Sequence, residues 1–139
     1  MKRRSPLIFA IILVALNSSC ASISSSLAGC GNDVAKEVRS PSGKKKAVIF
    51  ERDCGATTSF TTQVSILSSN RSLPNEIGNV FVANTDHGKA RAGSWGGPLV
   101  ELSWIDDTHL LLRYDRLAEV SKREQLVGDV NIGYETFAP

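Results

Sequence analysis

The sequence predicts an all-β fold: a small antiparallel meander, sandwich or open barrel of about six strands, behind an amino-terminal leader. Short segments alternate apolar and polar residues at period two, most clearly over 61–67. Turn residues separate such segments every eight to fifteen residues, which is typical of sheets built from hairpins. No strand–helix–strand alternation is visible, so a parallel α/β sheet is not expected.

Residues 1–29 have the organisation of a signal peptide. Three basic residues at 2–4 precede an uncharged apolar run at 7–16 (LIFAIILVAL), and small residues follow. The apolar run has about half the length that a membrane-spanning helix needs. We therefore expect an exported protein of the bacterial cell envelope, in which residues 30–139 form a single β-rich domain.

Two cysteines near the end of the leader are candidates for lipid attachment. The tripeptide Leu-Ala-Gly precedes Cys30, whereas Cys20 lies directly behind the apolar run but follows Asn-Ser-Ser. The small residues before Cys30 favour cleavage there and acylation of its sulfur, which would anchor the protein to the membrane. Cys20 is the alternative lipid site, and a third possibility is a periplasmic or secreted protein without an anchor.

The third cysteine, Cys54, gives Cys30 another possible role. In an oxidising compartment Cys30 and Cys54 can form a disulfide if Cys30 is not lipidated. One sulfur atom cannot form both bonds, so lipidation of Cys30 and the disulfide exclude each other. The sequence favours lipidation and leaves the disulfide as the alternative.

The first half of the mature chain predicts a hairpin and a separate strand. Residues 34–38 read as a strand, and Ser-Pro-Ser-Gly at 40–43 forms a turn. Residues 47–51 (AVIFE) are apolar with little alternation, which predicts a strand covered on both faces. Residues 61–67 alternate cleanly, which predicts a strand buried on one face only.

The carboxy-terminal part predicts a second hairpin, an ambiguous segment and a final strand. Within 99–114, two adjacent Asp residues form the turn, and the apolar positions of both arms face one side. Residues 117–125 fit either a short helix or an edge strand. Residues 130–134 alternate as a last strand.

Between these halves, residues 84–98 follow a short strand at 80–83 and contain four glycines and one proline. A long loop is either functional or mobile, so this loop is the first candidate for a binding surface. Trp95 either packs against the edge of the domain or is an exposed anchor for a partner. His87 is the other candidate binding residue. It lacks ligands at zinc-type spacing, so no metal and no other cofactor is expected.

Cys54 is also the candidate nucleophile of the chain. Arg52 would favour its thiolate, and His87 or His109 would act as base, whereas Asp53 would raise the pKa of the thiol. Motifs such as G-x-S-x-G and the phosphate loop are missing from the sequence. The sequence therefore favours a binding module without catalytic activity. A thiol-dependent enzyme or redox protein using Cys54 and a structural envelope protein are the alternatives.

Charge restricts the partners of the mature chain. The leader holds three of the 16 basic residues and no acidic one, which leaves 13 basic against 14 acidic residues and a net charge of −1. A nearly neutral domain gives no reason to expect a nucleic-acid partner. The expected partners are the membrane, through a lipid anchor if Cys30 is acylated, and a protein or small ligand.

Five segments of the mature chain carry a resemblance: SPSGK at 40–44, AVIF at 47–50, DCGATT at 53–58, GNVFVA at 78–83 and the hairpin that contains Trp104. Together they resemble a family of small uncharacterised bacterial lipoproteins. In such proteins the cysteine before a Gly-Asn pair usually closes the signal peptide, which implies Cys30 as the lipid site. The family has no established activity, so the resemblance implies address and fold but no function.

Overall fold

The computed structural model describes residues 29–55 and 59–137, which form two β-sheets and no helix. The all-β prediction is therefore confirmed. The leader prediction, including Cys20, concerns residues 1–28 and lies outside the described residues. The strands are β1 (Gly31–Arg39), β2 (Lys45–Asp53), β3 (Thr61–Ser68), β4 (Phe81–Asn84), β5 (Val100–Asp106), β6 (His109–Tyr114), β7 (Glu119–Arg123), β8 (Leu126–Val127) and β9 (Val130–Thr136).

The two sheets are open and pack against each other as a sandwich. The first sheet has the strand order β1-β2-β3-β4-β7, and the second has the order β5-β6-β9-β8. Buried side chains from both sheets form one hydrophobic core. Nothing in the described part of the chain is a helix long and apolar enough to cross a membrane.

Two features differ from the prediction. The described residues form nine strands rather than about six, mainly because the ambiguous segment contains β7 and is followed directly by β8. Of its two interpretations the edge strand is right and the helix is wrong, since β7 pairs with β4 at the edge of the first sheet. Most strand pairs are antiparallel, as the sequence predicts, but one pair is not. β6 and β9 run parallel, because β7 crosses to the other sheet between them.

The shared core follows the period-two pattern of the sequence. Val100 and Leu102 on β5 and Leu110 and Leu112 on β6 are buried, as the alternation in the second hairpin predicts. Trp104 completes this face at its rim, where its indole N–H donates to the Val38 carbonyl at 2.9 Å. This hydrogen bond connects the second sheet to β1. The first sheet contributes Ala47, Ile49, Val64, Ile66, Phe81 and Ala83 to the same core.

The outer face of β2 and β3 is largely buried as well, which the sequence predicts for β2 but not for β3. Residues 69–79, which we call the cover segment, lie across this face. The backbone N–H of Gly78 donates to Gln63 Oε1 at 2.8 Å, and that of Asn79 donates to Ser65 Oγ at 3.1 Å. Gln63 and Ser65 are each only 4% exposed. The half-buried strand expected at 61–67 is therefore buried on both faces, because its polar side chains bind the cover segment.

Candidate functional site: a groove beside the disulfide

Cys30 and Cys54 form a disulfide at the open end of the β1–β2 hairpin. Gly31 pairs with Asp53 across the two strands, so the neighbouring cysteines lie opposite each other. Of the two roles that the sequence allows for Cys30, lipidation and a disulfide, the structure contains the disulfide. A sulfur bonded to Cys54 cannot also carry a lipid, so lipidation of Cys30 does not describe this bridged state. Lipidation at Cys20 stays a prediction outside the described residues.

The nucleophile predicted at Cys54 is thus held as a disulfide sulfur rather than a thiolate. Of the two histidines considered as its base, His109 lies in the second sheet. Its Nδ1 is 2.9 Å from Asp106 Oδ1. Hydrogen bonds from His109 and Thr108 lower the pKa of Asp106 to about 2. The structure therefore joins His109 to the turn after β5 and not to Cys54.

Trp95 packs against the edge of the domain. Its indole N–H donates to Thr62 Oγ1 at 2.7 Å, and its ring covers Gly93 so closely that a Cβ there would lie 2.5 Å from the ring. The side chain is partly buried against the core. Packing against the edge of the domain therefore accounts for the contacts of Trp95. A contact with a partner through the exposed part of its side chain stays a prediction.

His87 lies at the tip of a tight turn after β4. Asp86 and His87 have positive φ angles of 45° and 56°, a conformation that non-glycine residues rarely adopt. Asp86 stabilises the turn, since its backbone N–H donates to Asn84 Oδ1 at 2.7 Å and its carboxylate accepts from Lys89 Nζ at 2.8 Å. The imidazole is exposed. Across residues 29–55 and 59–137, no group of three or more potential ligands assembles to hold a metal ion.

A groove of about 570 Å³ opens on the outer face of the first sheet, beside the disulfide. Its floor is made by Thr61, Gln63 and Val82, where β3 and β4 pair. The disulfide forms one end, and Ile77 of the cover segment, which is 62% exposed, forms a wall. The disulfide, Ile77 and Val82 make this lining largely apolar.

Two cationic side chains complete the groove, and both are held by neutral oxygen atoms. Arg52 Nη1 donates to Asn32 Oδ1 at 2.6 Å and to Asn75 Oδ1 at 2.9 Å. Lys122 Nζ donates to the Gly78 carbonyl at 2.9 Å. Among the described residues, no carboxylate forms an ion pair with either cation. The hydrogen bonds therefore orient the two positive charges without neutralising them.

A second groove, of about 710 Å³, lies on the outer face of the second sheet. Ile105 and Leu111 supply its apolar surface. Its charged residues already have partners within the protein: Arg123 stacks on the Tyr134 ring at 4.4 Å, and Glu135 lies 3.6 Å from Arg113 Nε. The groove beside the disulfide is therefore the better candidate site, because its charges remain available.

Sequence reasoning identified Cys30, Cys54 and Arg52 but missed Ile77, Val82 and Lys122. Alternation along β3 places Thr61 and Gln63 on one face, so this part of the floor could be predicted from the sequence. Lys122 lies in the ambiguous segment and joins the groove only because β7 pairs with β4. No local pattern reveals such a long-range strand pairing.

Comparison with known proteins adds no further constraint on this site. No protein-family model, no curated protein and no solved structure matches the chain. The resemblance to small bacterial lipoproteins accordingly stays a prediction. The function of the groove has to be inferred from its own geometry.

Proposed function

We propose that this protein is an exported, disulfide-stabilised β-sandwich of the bacterial cell envelope that acts by binding rather than by catalysis. The Cys30–Cys54 disulfide is the observation that carries this proposal. Disulfides persist in oxidising compartments outside the cytoplasm, which agrees with the signal-peptide pattern of the leader. The same bond occupies the sulfur of Cys54, which a thiol-dependent nucleophilic mechanism would need as a thiolate.

The disulfide also bears on how the protein is held in the envelope. A bridged Cys30 has an unmodified sulfur, so in this proposal the leader is not cleaved and acylated at Cys30. The proposed mature protein is therefore either secreted without an anchor or acylated at Cys20. Cleavage before Cys30 with acylation of that residue would leave Cys54 as a lone thiol.

Intact-mass analysis of the native protein, extracted from the envelope without reductant, tests this proposal. We expect a chain that begins upstream of Cys30 and that gains two hydrogen atoms on reduction. A chain that begins at an acylated Cys30, with a free thiol at Cys54, would overturn the bridged form. Recovery of the uncleaved protein from the cytoplasm would overturn export.

A thiol redox protein is a second candidate, favoured by the position of the disulfide. Both cysteines are only partly buried and line an open groove, so an attacking thiolate can approach them. The test is the rate at which the protein catalyses thiol–disulfide exchange between dithiothreitol and a model disulfide. The Cys30→Ser/Cys54→Ser double variant is the matched control. A rate above that of the control supports redox catalysis, and equal rates exclude it.

A further inference from the structure

We propose that the groove beside the disulfide binds a small amphipathic carboxylate, with the carboxylate at Arg52 and the apolar chain against Ile77, Val82 and the disulfide. This inference rests on the proposed binding function and names the class of its ligand. The argument has three steps, which concern the charge, the apolar surface and the size of the groove.

The charge of the groove is positive and oriented. Asn32 and Asn75 both accept from Nη1 of Arg52, and the described residues make no hydrogen bond to its Nη2 or Nε. A guanidinium presents a planar fork that matches the two oxygens of a carboxylate. Lys122 on β7 uses one N–H for the Gly78 carbonyl and adds a second positive charge to the same groove. An anion is therefore the complementary ligand.

The apolar surface lies between the two cations. β3 and β4 separate β2, which carries Arg52, from β7, which carries Lys122, and Val82 on β4 lies on the floor. Ile77 stays 62% exposed although the segment around it is fixed, since Asn32 Nδ2 donates to the carbonyls of Pro74 and Glu76. An exposed isoleucine on a fixed wall favours an apolar chain in contact with the anionic group.

The size of the groove favours a free small molecule over a membrane surface. A concave volume of about 570 Å³ falls in the range of small-ligand sites. An anionic membrane surface would instead call for a broad basic patch, whereas the mature chain carries 13 basic against 14 acidic residues. A single-chain carboxylate therefore fits both the shape and the charge of this site.

Binding of decanoate to the purified, oxidised mature protein tests the proposal. Two probes serve as controls: acetate has the head group without the chain, and octyl glucoside has an apolar chain without charge. Decanoate and octyl glucoside are used below their critical micelle concentrations. Calorimetry gives the affinity, and amide NMR shifts give the location. We expect decanoate to bind at least about tenfold more tightly than either control. One charge-assisted hydrogen bond supplies such a ratio against octyl glucoside, and burial of the apolar chain supplies it against acetate. The shifts should cluster at residues 61–63, 77–82 and 121–122.

Matched variants locate the two halves of the ligand. Arg52→Gln should weaken decanoate binding about tenfold. Lys44→Gln, which removes an equal charge in the exposed turn just before the opposite end of β2, should leave it unchanged. Ile77→Ser should weaken binding several-fold, unlike Ile105→Ser, which changes an equally exposed isoleucine on the other sheet. If Arg52→Gln unfolds the protein, Lys122→Gln replaces it in the comparison, with a reduction of several-fold expected.

Three outcomes would overturn this inference. They are equal affinity for decanoate and octyl glucoside, shifts that map to the outer face of the second sheet, and absence of decanoate binding. The intact mass of the native protein, which tests export and the disulfide, is measured independently of ligand binding. Failure of the ligand class can therefore be told apart from failure of the proposed export and disulfide.

Discussion

At the scale of single residues, Thr62 fixes the glycine-rich loop to the sandwich. Its hydroxyl accepts from the Trp95 indole N–H at 2.7 Å and donates to the Pro98 carbonyl at 2.6 Å. Thr62 itself is fully buried on β3. One hydroxyl group thus satisfies two polar groups of the same loop, which explains why Trp95 packs inward.

Thr62→Val should destabilise the protein by about 2 kcal/mol, because it keeps the side-chain shape but leaves the Trp95 donor and the Pro98 acceptor unpaired. Urea unfolding of the oxidised protein measures the loss. Thr136→Val, at an exposed position of β9, serves as the control and should change the free energy of unfolding by less than about 0.5 kcal/mol. Equal effects of the two substitutions would show that the Thr62 hydrogen bonds contribute no net stability.

Asp115 makes the stability of the fold depend on pH. It is buried, accepts from the backbone N–H of Leu117 at 2.9 Å, and pairs with Arg91 Nε at 3.0 Å. The hydrogen bond from Leu117, together with those from Arg91, lowers the pKa of Asp115 below 3.8. The unfolded chain consequently binds a proton at this group at a higher pH than the folded protein does.

The stabilisation from Asp115 should be complete above pH 3.8 and be lost as the pH falls through the lowered pKa of the folded state. We therefore expect Asp115→Asn to be less stable than the wild type at neutral pH. The difference should shrink below about pH 4. Urea midpoints measured between about pH 6 and pH 2 test this. A constant difference across that range would contradict a role for the ionised carboxylate.

At the scale of elements, the cover segment buries the outer face of β3 and supplies hydrogen-bond partners to it, although it is neither a strand nor a helix. Asn79 imitates a strand residue with its side chain, since its Oδ1 accepts from the Ile66 N–H at 2.9 Å and its Nδ2 donates to the Ile66 carbonyl at 3.0 Å. Gly78 lets this segment approach closely. A Cβ at position 78 would lie 2.8 Å from the Val64 carbonyl oxygen.

Gly78→Ala should cost about 1–3 kcal/mol, because the added methyl group overlaps backbone atoms that cannot rotate away. The control is Gly31→Ala, where a Cβ meets no atom within 4 Å. Thermal unfolding of both variants measures the difference. A Gly78→Ala protein as stable as the control would mean that the cover segment lifts from the sheet without loss.

The strands themselves show what a sequence reveals about elements. Period-two alternation identified both faces of the second hairpin, because one side meets the core and the other meets solvent. The same logic was wrong for β3, where Gln63 and Ser65 are polar and nevertheless buried. Their burial depends on hydrogen bonds to Gly78 and Asn79, which are distant in sequence. A polar side chain in a strand therefore indicates that a hydrogen-bond partner is needed, and this partner can be another part of the protein rather than water.

At the scale of the whole molecule, the disulfide closes the first hairpin next to the candidate site. The bond joins residues 24 positions apart and restrains the end of β1, an edge strand. Its sulfur atoms also line the groove, so the covalent restraint and the proposed binding surface coincide.

The Cys30→Ser/Cys54→Ser double variant should lose about 3 kcal/mol of stability, because a loop of this length gains that much entropy in the unfolded chain when it is opened. Urea unfolding with and without dithiothreitol measures the loss. The reductant should lower the midpoint of the wild type and leave the double variant unchanged. An unchanged wild-type midpoint after complete reduction would contradict the prediction.

The sequence predicted the fold class, and it predicted the disulfide as the alternative to lipidation. It did not predict the groove, because the groove depends on contacts between distant parts of the chain. Turn residues, alternating polarity and cysteine pairs each involve one short segment or two residues, so they can be recognised directly in the sequence. The groove needs β7 to cross from the second sheet to the first, so that Lys122 lies beside Val82. That crossing is decided by the packing of both sheets together. The site is therefore a property of the assembled sandwich.

The place of β9 in the second sheet determines when the protein can fold during its synthesis. β9 is the last strand along the chain, yet it lies inside the sheet, between β6 and β8. Until residues 130–136 have left the ribosome or a transport channel, β6 has no inner neighbour and the core lacks Val130 and Ile132. In a chain threaded from its amino end, the second sheet therefore stays incomplete until β9 has emerged.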